Sequence, residues 1–146
     1  MARDLITTLA YARNLPGLGK IAYYCLKLLG IELPVSVEIG EDLEIAHGGF
    51  GIVIHSKAKI GNRVKIYPGV SVGRADIFNP ISESKFTGIV IEDDVILSPG
   101  CKILGKEGIL KVGRGTVIGA NAVLLQSTGN GEIWAGIPAK RIGRRE

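Results

Sequence analysis

Aromatic residues are scarce in this sequence and make up 5% of its 146 residues. A core with so few rings has to be built from Ile, Val, Leu and Ala. Glycine is abundant instead, with 21 residues, which is about twice the ordinary usage of roughly 7%. The glycines are scattered and the prolines number only six, so collagen-like and low-complexity sequence are excluded. Small aliphatic side chains with regularly placed glycine favour a repeating β architecture.

Cysteine and histidine are equally scarce, with two of each. Cys25 and Cys101 lie 76 residues apart and match no CxxC or metal-ligand spacing. We therefore interpret both as free, buried thiols of a reducing compartment and expect a cytoplasmic protein. A zinc site that activates water typically takes three histidines, whereas this chain has only His47 and His55. We expect no metal.

Long apolar runs are missing as well. The most apolar segment, residues 21–33, contains Lys27 and Glu32 and is too short to cross a bilayer. The first residues include the acidic Asp4 and no long apolar block, so they do not read as a secretory signal. We expect no transmembrane segment and no leader.

Positive charge is in mild excess, with a net charge of +4 and a pI of about 9.2. Much of it lies near the C-terminus, at Lys140, Arg141, Arg144 and Arg145. No nucleic-acid-binding motif or aromatic stacking platform accompanies these residues, so nucleic acid is not the expected partner. A polyphosphorylated cofactor would suit the charge equally well.

Apolar residues spaced by three and four predict two short helices, over residues 4–13 and 18–29. We interpret residues 1–31 as a helical cap over one end of the main body, which then occupies residues 32–146. The alternative is a membrane-surface anchor, which two lysines of the second helix favour weakly. Peripheral membrane contact therefore stays open.

From Leu33 onward, aliphatic residues recur every six positions, a period that belongs neither to a strand nor to a helix. A chain that turns a corner every six residues points one aliphatic side chain inward on each face, and a following glycine allows the tight turn. Three hexapeptides complete one triangular coil, so the sequence predicts a parallel β-helix. The thirteen inward anchors are Leu33, Ile39, Ile45, Ile54, Ile60, Ile66, Val72, Ile91, Leu97, Ile103, Val112, Ile118 and Leu124.

Three interruptions of the period mark where function is expected, because loops that leave a rigid scaffold commonly carry it. The step between the anchors Ile45 and Ile54 is nine residues rather than six. A non-repeating stretch over about 74–88 contains an Asn-Pro pair and several serines, and predicts a loop extruded from the coil. A smaller excess surrounds residues 106–108.

His47 lies in the first of these interruptions, between a small residue and two glycines that let a ligand approach the backbone closely. A neutral imidazole there can remove a proton from an acceptor hydroxyl, as acyl transfer requires. His55 follows the inward anchor Ile54, so we expect it to point outward and assign it at most a contact with substrate. The alternative for His47 is an ordinary loop residue on a catalytically silent scaffold.

The I-G hexapeptides, the segment AHGGFGIVIHSKAKIG and the ending WAGIPAKRIG resemble the hexapeptide-repeat acyltransferases, which fold as left-handed parallel β-helices. The resemblance covers about residues 31–143 and is greatest to the serine acetyltransferases and their polysaccharide O-acetyltransferase relatives. It implies an acyltransferase that uses acetyl-CoA as co-substrate.

In that family the histidine before the G-I-V stretch is the general base, which here is His47. A carboxylate fifteen residues upstream orients it in serine acetyltransferases, and this sequence has Glu32 at that position in place of aspartate. The alternative for Glu32 is a surface charge at the exit of a helix.

Two departures from the family concern the acceptor. The family's aspartate before the histidine is Ala46 here, and Thr87 and Gly88 stand where an Arg–His pair grips the charged ends of serine. A zwitterionic acceptor would then leave charges unpaired, so we expect a saccharide hydroxyl. The residues expected to contact it are, besides His55, Arg74, Asp76 and Asn79 of the extruded loop.

For the donor, the resemblance implies acetyl-CoA in a groove between the coils of adjacent subunits of a homotrimer. Small residues would line its acyl arm, the segment 135–140 would cover it, and two cations would meet its phosphates. The expected contacts are Gly73, Gly100, Ala120, Ala135, Lys140 and Arg141. The alternative for the two cations is a solvated basic tail.

Two alternative activities remain at this stage. The first is serine O-acetylation in cysteine biosynthesis, against which the short N-terminal region argues weakly. The second is N-acetylation of an amino sugar, since a histidine base serves either nucleophile.

Overall fold

Each hexapeptide forms one short strand and one corner in the computed structural model, which describes residues 4–145. The strands stack into three sheets, which we call the first, second and third faces of a triangular prism. The first face contains β1 (Glu38–Ile39), β4 (Ala58–Ile60), β7 (Phe86–Ile91) and β10 (Gly108–Val112). The second contains β2 (Glu44–Ile45), β5 (Lys65–Ile66), β8 (Ile96–Leu97), β11 (Val117–Ile118), β13 (Glu132–Gly136) and β14 (Ala139–Arg144). The third contains β3 (Val53–Ile54), β6 (Ser71–Arg74), β9 (Lys102–Gly105) and β12 (Val123–Leu124).

Every strand pairs in parallel with the strand one coil away, except that β13 and β14 form an antiparallel hairpin over the last coil. The register records the interruptions seen in the sequence. Val53 pairs with Ser71, eighteen residues on, which is one uninterrupted coil. Ser71 pairs with Lys102, thirty-one residues on, because the extruded loop lies between them. The predicted parallel β-helix is confirmed.

The three corners organise the rest of the molecule. The first corner joins the first and second faces at residues 40–43, 61–64, 92–95 and 113–116. The second corner joins the second and third faces at residues 46–52, 67–70, 98–101 and 119–122. The third corner joins the third and first faces at residues 55–57, 75–85 and 106–107. The chain leaves the coil after Arg74 and returns at Phe86, so the extruded loop ends earlier than expected because residues 86–88 already belong to β7.

The core is an aliphatic ladder inside the prism. Twelve of the thirteen anchors are buried, and Ile39 at the first coil is partly buried. A second inward row, two residues before each anchor, was not recognised in the sequence because its members are smaller and more varied. It consists of Ile31, Val37, Leu43, Ile52, Ala58, Val64, Val70, Ile89, Val95, Cys101, Leu110, Thr116 and Ala122.

The two cysteines differ in burial. Cys101 belongs to the second inward row, and burial raises the pKa of its thiol to about 12, so it is an unreactive core residue. Cys25 is also a free thiol, but it is only partly buried, so the expectation of two buried thiols is wrong for Cys25. Its helix packs through Ala22 and Leu26 instead.

Glycine is required at the second corner, where the chain turns in the left-handed region on successive coils. Gly51, Gly69 and Gly100 have φ of 80°, 76° and 70°, and Asn121 continues the column at 56°. A Cβ added to Gly69 would lie 3.4 Å from the Cα of Gly100, so the stacked corners also approach each other closely. A side chain at these glycines would therefore carry both backbone strain and crowding.

The two predicted helices form as α1 (Leu5–Ala12) and α2 (Gly19–Leu28). The Asp4 carboxylate caps α1 by accepting the Thr7 N–H at 2.7 Å. Both helices lie at the first coil, where they bury Ala10 and Leu26 against the aliphatic ladder. The outer ends of the two expected domains, residues 1–3 and 146, lie outside the described residues.

Arg13 fastens the helices to the prism. Its side chain is 1% exposed and has no carboxylate partner among the described residues. The guanidinium instead donates to the carbonyls of Ala10 at 2.9 Å and Val37 at 3.2 Å, and also to those of Leu33 and Pro34. Burial lowers the pKa of Arg13 to about 10.

Candidate active site

His47 stands outside the prism at the second corner because of the three extra residues between β2 and β3. The chain makes a short 3-10 turn over Ala46–Gly49, in which His47 itself is left-handed at φ 52° and ψ 36°. Gly48 and Gly49 follow with φ of 75° and 65°, and Gly49 is buried against the core. Other corner residues share this conformation, for example Arg63 at φ 53° and Asn121 at φ 56°, so His47 is distinguished by the insertion that carries it and not by its φ angle.

One aromatic ring lies beside His47. The Tyr67 ring, one coil above, has its centroid 5.9 Å from the imidazole centroid. Phe50 is 74% exposed, and its ring lies over Gly30, where an added Cβ would come within 2.7 Å of the ring. The ring that lies beside the exposed histidine is therefore that of Tyr67, whereas Phe50 packs over Gly30.

Glu32, the carboxylate expected to orient His47, has other partners. Its Oε1 accepts the Tyr23 hydroxyl at 2.7 Å, and its Oε2 lies 3.2 Å from Lys27 Nζ. The hydrogen bond with Tyr23, followed by that with Glu32, raises the pKa of Lys27. Within residues 4–145 no hydrogen bond joins Glu32 to His47, so helix α2 holds this carboxylate. Tyr23 and Lys27, one helical turn apart on α2, were not singled out from the sequence.

Small residues continue along the second corner above His47. Gly100 lies two coils above it, in the column of left-handed corner residues, and Ala120 lies at the corner of the next coil. Ala135 follows in β13, where its Cβ lies 3.3 Å from the position of a Cβ added to Gly119. These three candidates for the cofactor therefore share one edge of the prism with His47. Gly73 lies away from this edge, in β6 on the third face, with open space where a side chain would be.

The C-terminal hairpin closes this edge, and it distinguishes the two candidate cations. Lys140 lies opposite Ala135 in the β13–β14 ladder and is exposed, with no carboxylate within ion-pair distance in the described part of the chain. Arg141 has its Nη1 3.6 Å from Glu132 Oε1. The Trp134 indole N–H donates to Glu132 at 2.8 Å, and this bond is the main reason that the pKa of Glu132 is lowered. Arg141 is thus partly neutralised, whereas Lys140 pairs with no carboxylate among residues 4–145.

The expected acceptor-binding residues gather at the third corner, not at the second. The Arg74 Nη2 donates to the Asn79 carbonyl at 3.2 Å, and Nη1 lies 3.5 Å from Asp76 Oδ1. Asp76 is 3% exposed, and the Ser84 hydroxyl is the main group that lowers the pKa of its carboxyl. The extruded loop, whose Arg74, Asp76 and Asn79 were expected to contact an acceptor, is therefore built around an ion pair that contains the buried Asp76.

His55 lies at the same third corner and is partly buried, as expected for a residue outside the ladder. Its Nδ1 accepts the Lys57 N–H at 3.0 Å, and its ring meets the Phe86 ring edge-on at 5.0 Å. Burial, followed by the charges of Lys57 and Arg74, lowers the pKa of His55. The imidazole is therefore held neutral, with its proton on Nε2 because Nδ1 is an acceptor.

The family's two acceptor-reading cations have no structural replacement at their expected positions. Thr87 is an exposed residue of β7. Gly88 is buried, and a Cβ added there would lie 2.8 Å from the Lys57 carbonyl oxygen. Position 88 therefore has no room for a histidine unless the backbone shifts.

A cleft of about 330 Å3 opens beside the extruded loop. Three of its residues, Lys85, Lys106 and Glu107, were not predicted as site residues, although the third interruption of the hexapeptide period had marked residues 106–108. The cleft is lined by Asp76, Asn79, Glu83, Lys85, Lys106 and Glu107. No group of acidic, histidine or cysteine side chains suited to a metal ion occurs among residues 4–145. Within the same range, no helix has the length and apolar character needed to cross a membrane.

Sequence comparison finds relatives of known activity. A serine acetyltransferase of Bacillus licheniformis is 36% identical over 113 residues, which are 77% of this chain and 48% of the relative. The chain spans about half the length of the curated relatives it matches. No protein-family model matches the chain.

Structural comparison finds the same fold in solved structures. A serine O-acetyltransferase of Brucella melitensis superposes with a TM-score of 0.77 at 24% identity, over 97% of this chain and 55% of that one. A serine acetyltransferase of Brucella abortus, solved in complex with coenzyme A, gives 0.70 at 22% identity over 97% and 54%. These neighbours confirm the predicted fold, a left-handed parallel β-helix with two helices at its N-terminal end.

Proposed function

Because the chain belongs to the serine acetyltransferase-like group of hexapeptide-repeat acyltransferases, we propose that it transfers an acetyl group from acetyl-CoA to the hydroxyl of a small acceptor. The single observation that carries the proposal is the position of His47, exposed in a three-residue insertion at the second corner. Beside it runs an edge of small residues that leads to the free cation Lys140.

The chemistry needs only one side chain to move a proton. The His47 imidazole takes the proton of the acceptor hydroxyl while the oxygen attacks the acetyl carbonyl carbon. The C–S bond of the thioester then breaks, and the imidazolium returns the proton to the departing thiolate. No acyl-enzyme is formed, because the acceptor attacks the donor directly.

The edge above His47 suits an elongated donor. From the coil of His47 to that of Ala135 there are four steps of about 4.8 Å each, on the order of 20 Å in all. In this proposal, acetyl-CoA lies along the edge with its thioester at His47, its arm against Gly100 and Ala120, and its phosphates at Lys140. Arg141 contributes less because Glu132 already pairs with it.

The function requires more than one copy of the chain, and a homotrimer is the proposed assembly. His47 and the extruded loop are at different corners, separated by the third face, so only a neighbouring copy can bring a loop to His47. That face is also the least charged of the three. Its outward strand residues are Val53, Ser71, Gly73, Lys102, Leu104 and Val123. Ion pairs cover the other two faces, for example Lys59–Glu38 and Lys65–Glu44.

Gly73 lies in the middle of this third face, away from the edge that carries His47. It would contact the donor of a neighbouring copy rather than the donor at its own edge. The free thiols of both cysteines support a reducing compartment, so the cytoplasm remains the predicted location.

Two acceptors are candidates. Serine is favoured by the relatives, since serine acetyltransferase is the name carried by the matched proteins. A neutral saccharide hydroxyl is favoured by the lack of a cation at Thr87 and Gly88 and by the packing that leaves Gly88 no room for one. N-acetylation of an amino sugar would use the same base.

The test is release of free CoA thiol from acetyl-CoA in the presence of serine, monosaccharides, sugar nucleotides or amino sugars. His47→Ala is expected to lower kcat by about 10²- to 10⁴-fold with acetyl-CoA still bound. Glu38→Gln, which removes an exposed charge on the first face, is the matched control and keeps the wild-type rate. A His47→Ala protein that turns over at the wild-type rate would exclude His47 as the base.

A second variant tests the donor site and the assembly together. A methyl group added at Gly73 meets no atom of its own chain within 4 Å, so Gly73→Ala is expected to keep the melting temperature of the isolated subunit fold. A raised KM for acetyl-CoA with an unchanged KM for the acceptor would support a donor contact. An unchanged KM for acetyl-CoA would remove Gly73 from the donor site.

A further inference from the structure

The base of the extruded loop contains an ion pair whose hydrogen-bonding capacity is not used up. Arg74 Nη1 and Asp76 Oδ1 are both buried and lie 3.5 Å apart, and neither has a hydrogen-bond partner among residues 4–145. The other contacts of the pair are made, since Arg74 Nη2 binds the Asn79 carbonyl and Ser84 holds the Asp76 carboxylate. One donor and one acceptor therefore remain open side by side.

Such a pair is costly to leave unsatisfied, because a buried polar atom without a partner loses its hydration and gains nothing in exchange. Asp76 is 3% exposed, yet it lines the cleft of about 330 Å3 together with Asn79 and Glu83. The cleft volume is within the range of small-molecule sites, about 300–1,000 Å3. The free oxygen of Asp76 is thus a buried, ionised acceptor at the wall of a cleft that a ligand can enter.

The charges of the cleft identify the class of ligand. The lining of the cleft contains three carboxylates, Asp76, Glu83 and Glu107, and two lysines, Lys85 and Lys106. Arg74 is not part of the lining, but its ion pair with Asp76 balances the third carboxylate, so the formal charges around the cleft cancel. Lys85 and Glu107 also lie 3.9 Å apart. A neutral lining attracts neither a phosphate nor a metal cation strongly. A hydroxyl group suits the open pair, because it can accept from Arg74 Nη1 and donate to Asp76 Oδ1 at once.

We propose that the Arg74–Asp76 cleft binds a neutral, polyhydroxylated molecule of the saccharide class through a hydroxyl that bridges Arg74 Nη1 and Asp76 Oδ1. The Asn79 amide, which also lines the cleft, supplies a further donor and acceptor for a neighbouring hydroxyl. This inference rests on the proposed function in one respect, since it makes the cleft the part of the loop that presents the acceptor to His47 of a neighbouring copy.

The test measures binding apart from turnover. The methyl α-glycosides of D-glucose, D-galactose and D-mannose are titrated into the whole protein and followed by saturation-transfer difference NMR. At least one of them is expected to bind saturably at millimolar concentration. Asp76→Asn, which keeps the size of the side chain and removes its charge, should weaken that binding by about tenfold or more.

Matched controls separate the cleft from a general loss of charge. Asp94→Asn removes a carboxylate that is paired with an arginine, Arg63, at 2.7 Å, but it lies at the first corner, outside the cleft. It should leave glycoside binding unchanged. If Asp76→Asn melts well below the wild type, Asn79→Ala takes its place, because it keeps both charged groups of the ion pair and should also weaken binding.

Three outcomes would overturn the inference. In the first, none of the three glycosides binds. In the second, a glycoside binds equally well to the wild type and to both cleft variants. In the third, L-serine, magnesium chloride or inorganic phosphate binds in their place and depends on Asp76. None of these touches the proposed acetyl transfer, which is judged separately by thiol release and by His47→Ala. If acetyl transfer were not observed but glycoside binding were, the proposal that the cleft binds a saccharide would still hold.

Discussion

Arg13 offers the most direct test of how the helices are joined to the β-helix. Its guanidinium is buried, has no carboxylate beside it and donates to four backbone carbonyls in α1 and the first coil. Replacing Arg13 by methionine keeps an unbranched side chain of similar length and removes every donor. The perturbation therefore isolates the hydrogen bonds from the packing.

The size of the effect is a balance of two terms. The Pro34 carbonyl keeps another partner, the Val37 N–H at 3.1 Å, so the loss falls on the carbonyls of Ala10, Leu33 and Val37. At about 1–3 kcal/mol for each buried acceptor left without a donor, three acceptors cost about 3–9 kcal/mol. The second term has the opposite sign: the variant gains stability because it no longer buries a cation.

The second term follows from the pKa of Arg13, which burial lowers from 12.5 to about 10. At about 1.4 kcal/mol per pKa unit, this corresponds to at most about 3 kcal/mol, and to less wherever water screens the charge. We expect Arg13→Met to lower the free energy of unfolding by about 2–4 kcal/mol. Arg13→Lys, which keeps a cation but reaches fewer carbonyls, should fall between the variant and the wild type.

Urea unfolding followed by circular dichroism measures this difference, with all proteins at one concentration because assembly adds to apparent stability. The control is Arg63→Met, which removes an exposed arginine paired with Asp94 and should cost less than about 1 kcal/mol. An Arg13→Met protein within 0.5 kcal/mol of the wild type, by the same rough scale, would refute the account of Arg13 as the link between helices and coil.

Three further variants test separate features. Glu32→Gln should lower kcat less than loss of His47 does if Glu32 orients the base, and an unchanged kcat would leave Glu32 as a partner of α2 alone. The pKa of His55 is lower in the folded protein, so the unfolded chain binds a proton first and the melting temperature falls as the pH drops below about 6.5. His55→Asn should make this fall shallower, and an equal dependence of melting temperature on pH in both proteins would exclude the role of His55. Gly100→Ala should lower the free energy of unfolding by about 1–2 kcal/mol, through backbone strain at φ 70° and crowding against the Asn121 side chain. Gly108→Ala is the control, because Gly108 has φ 65° but open space around it, so only the backbone strain should lower the stability.

Much of the fold could be predicted from the sequence because its information is periodic. Each anchor of the hexapeptide repeat points inward regardless of its distant neighbours, so spacing alone gave the prism and both helices. Spacing also located His47, since an insertion in a strict repeat must leave the coil. The second inward row escaped notice because residues as different as Cys101, Thr116 and Leu110 fill it, and only their burial unites them.

What the tertiary structure decided is which side chains meet. The sequence placed Glu32 fifteen residues before His47, but the packing of α2 against the first coil brings Tyr23 and Lys27 to that carboxylate. It placed the loop residues near the candidate site, whereas stacking of the coils puts the loop at a different corner from His47. A repeat determines the face of the prism on which a residue lies, because the face depends only on the position of the residue within its hexapeptide. Partners depend on where separate elements pack, and no local period encodes that.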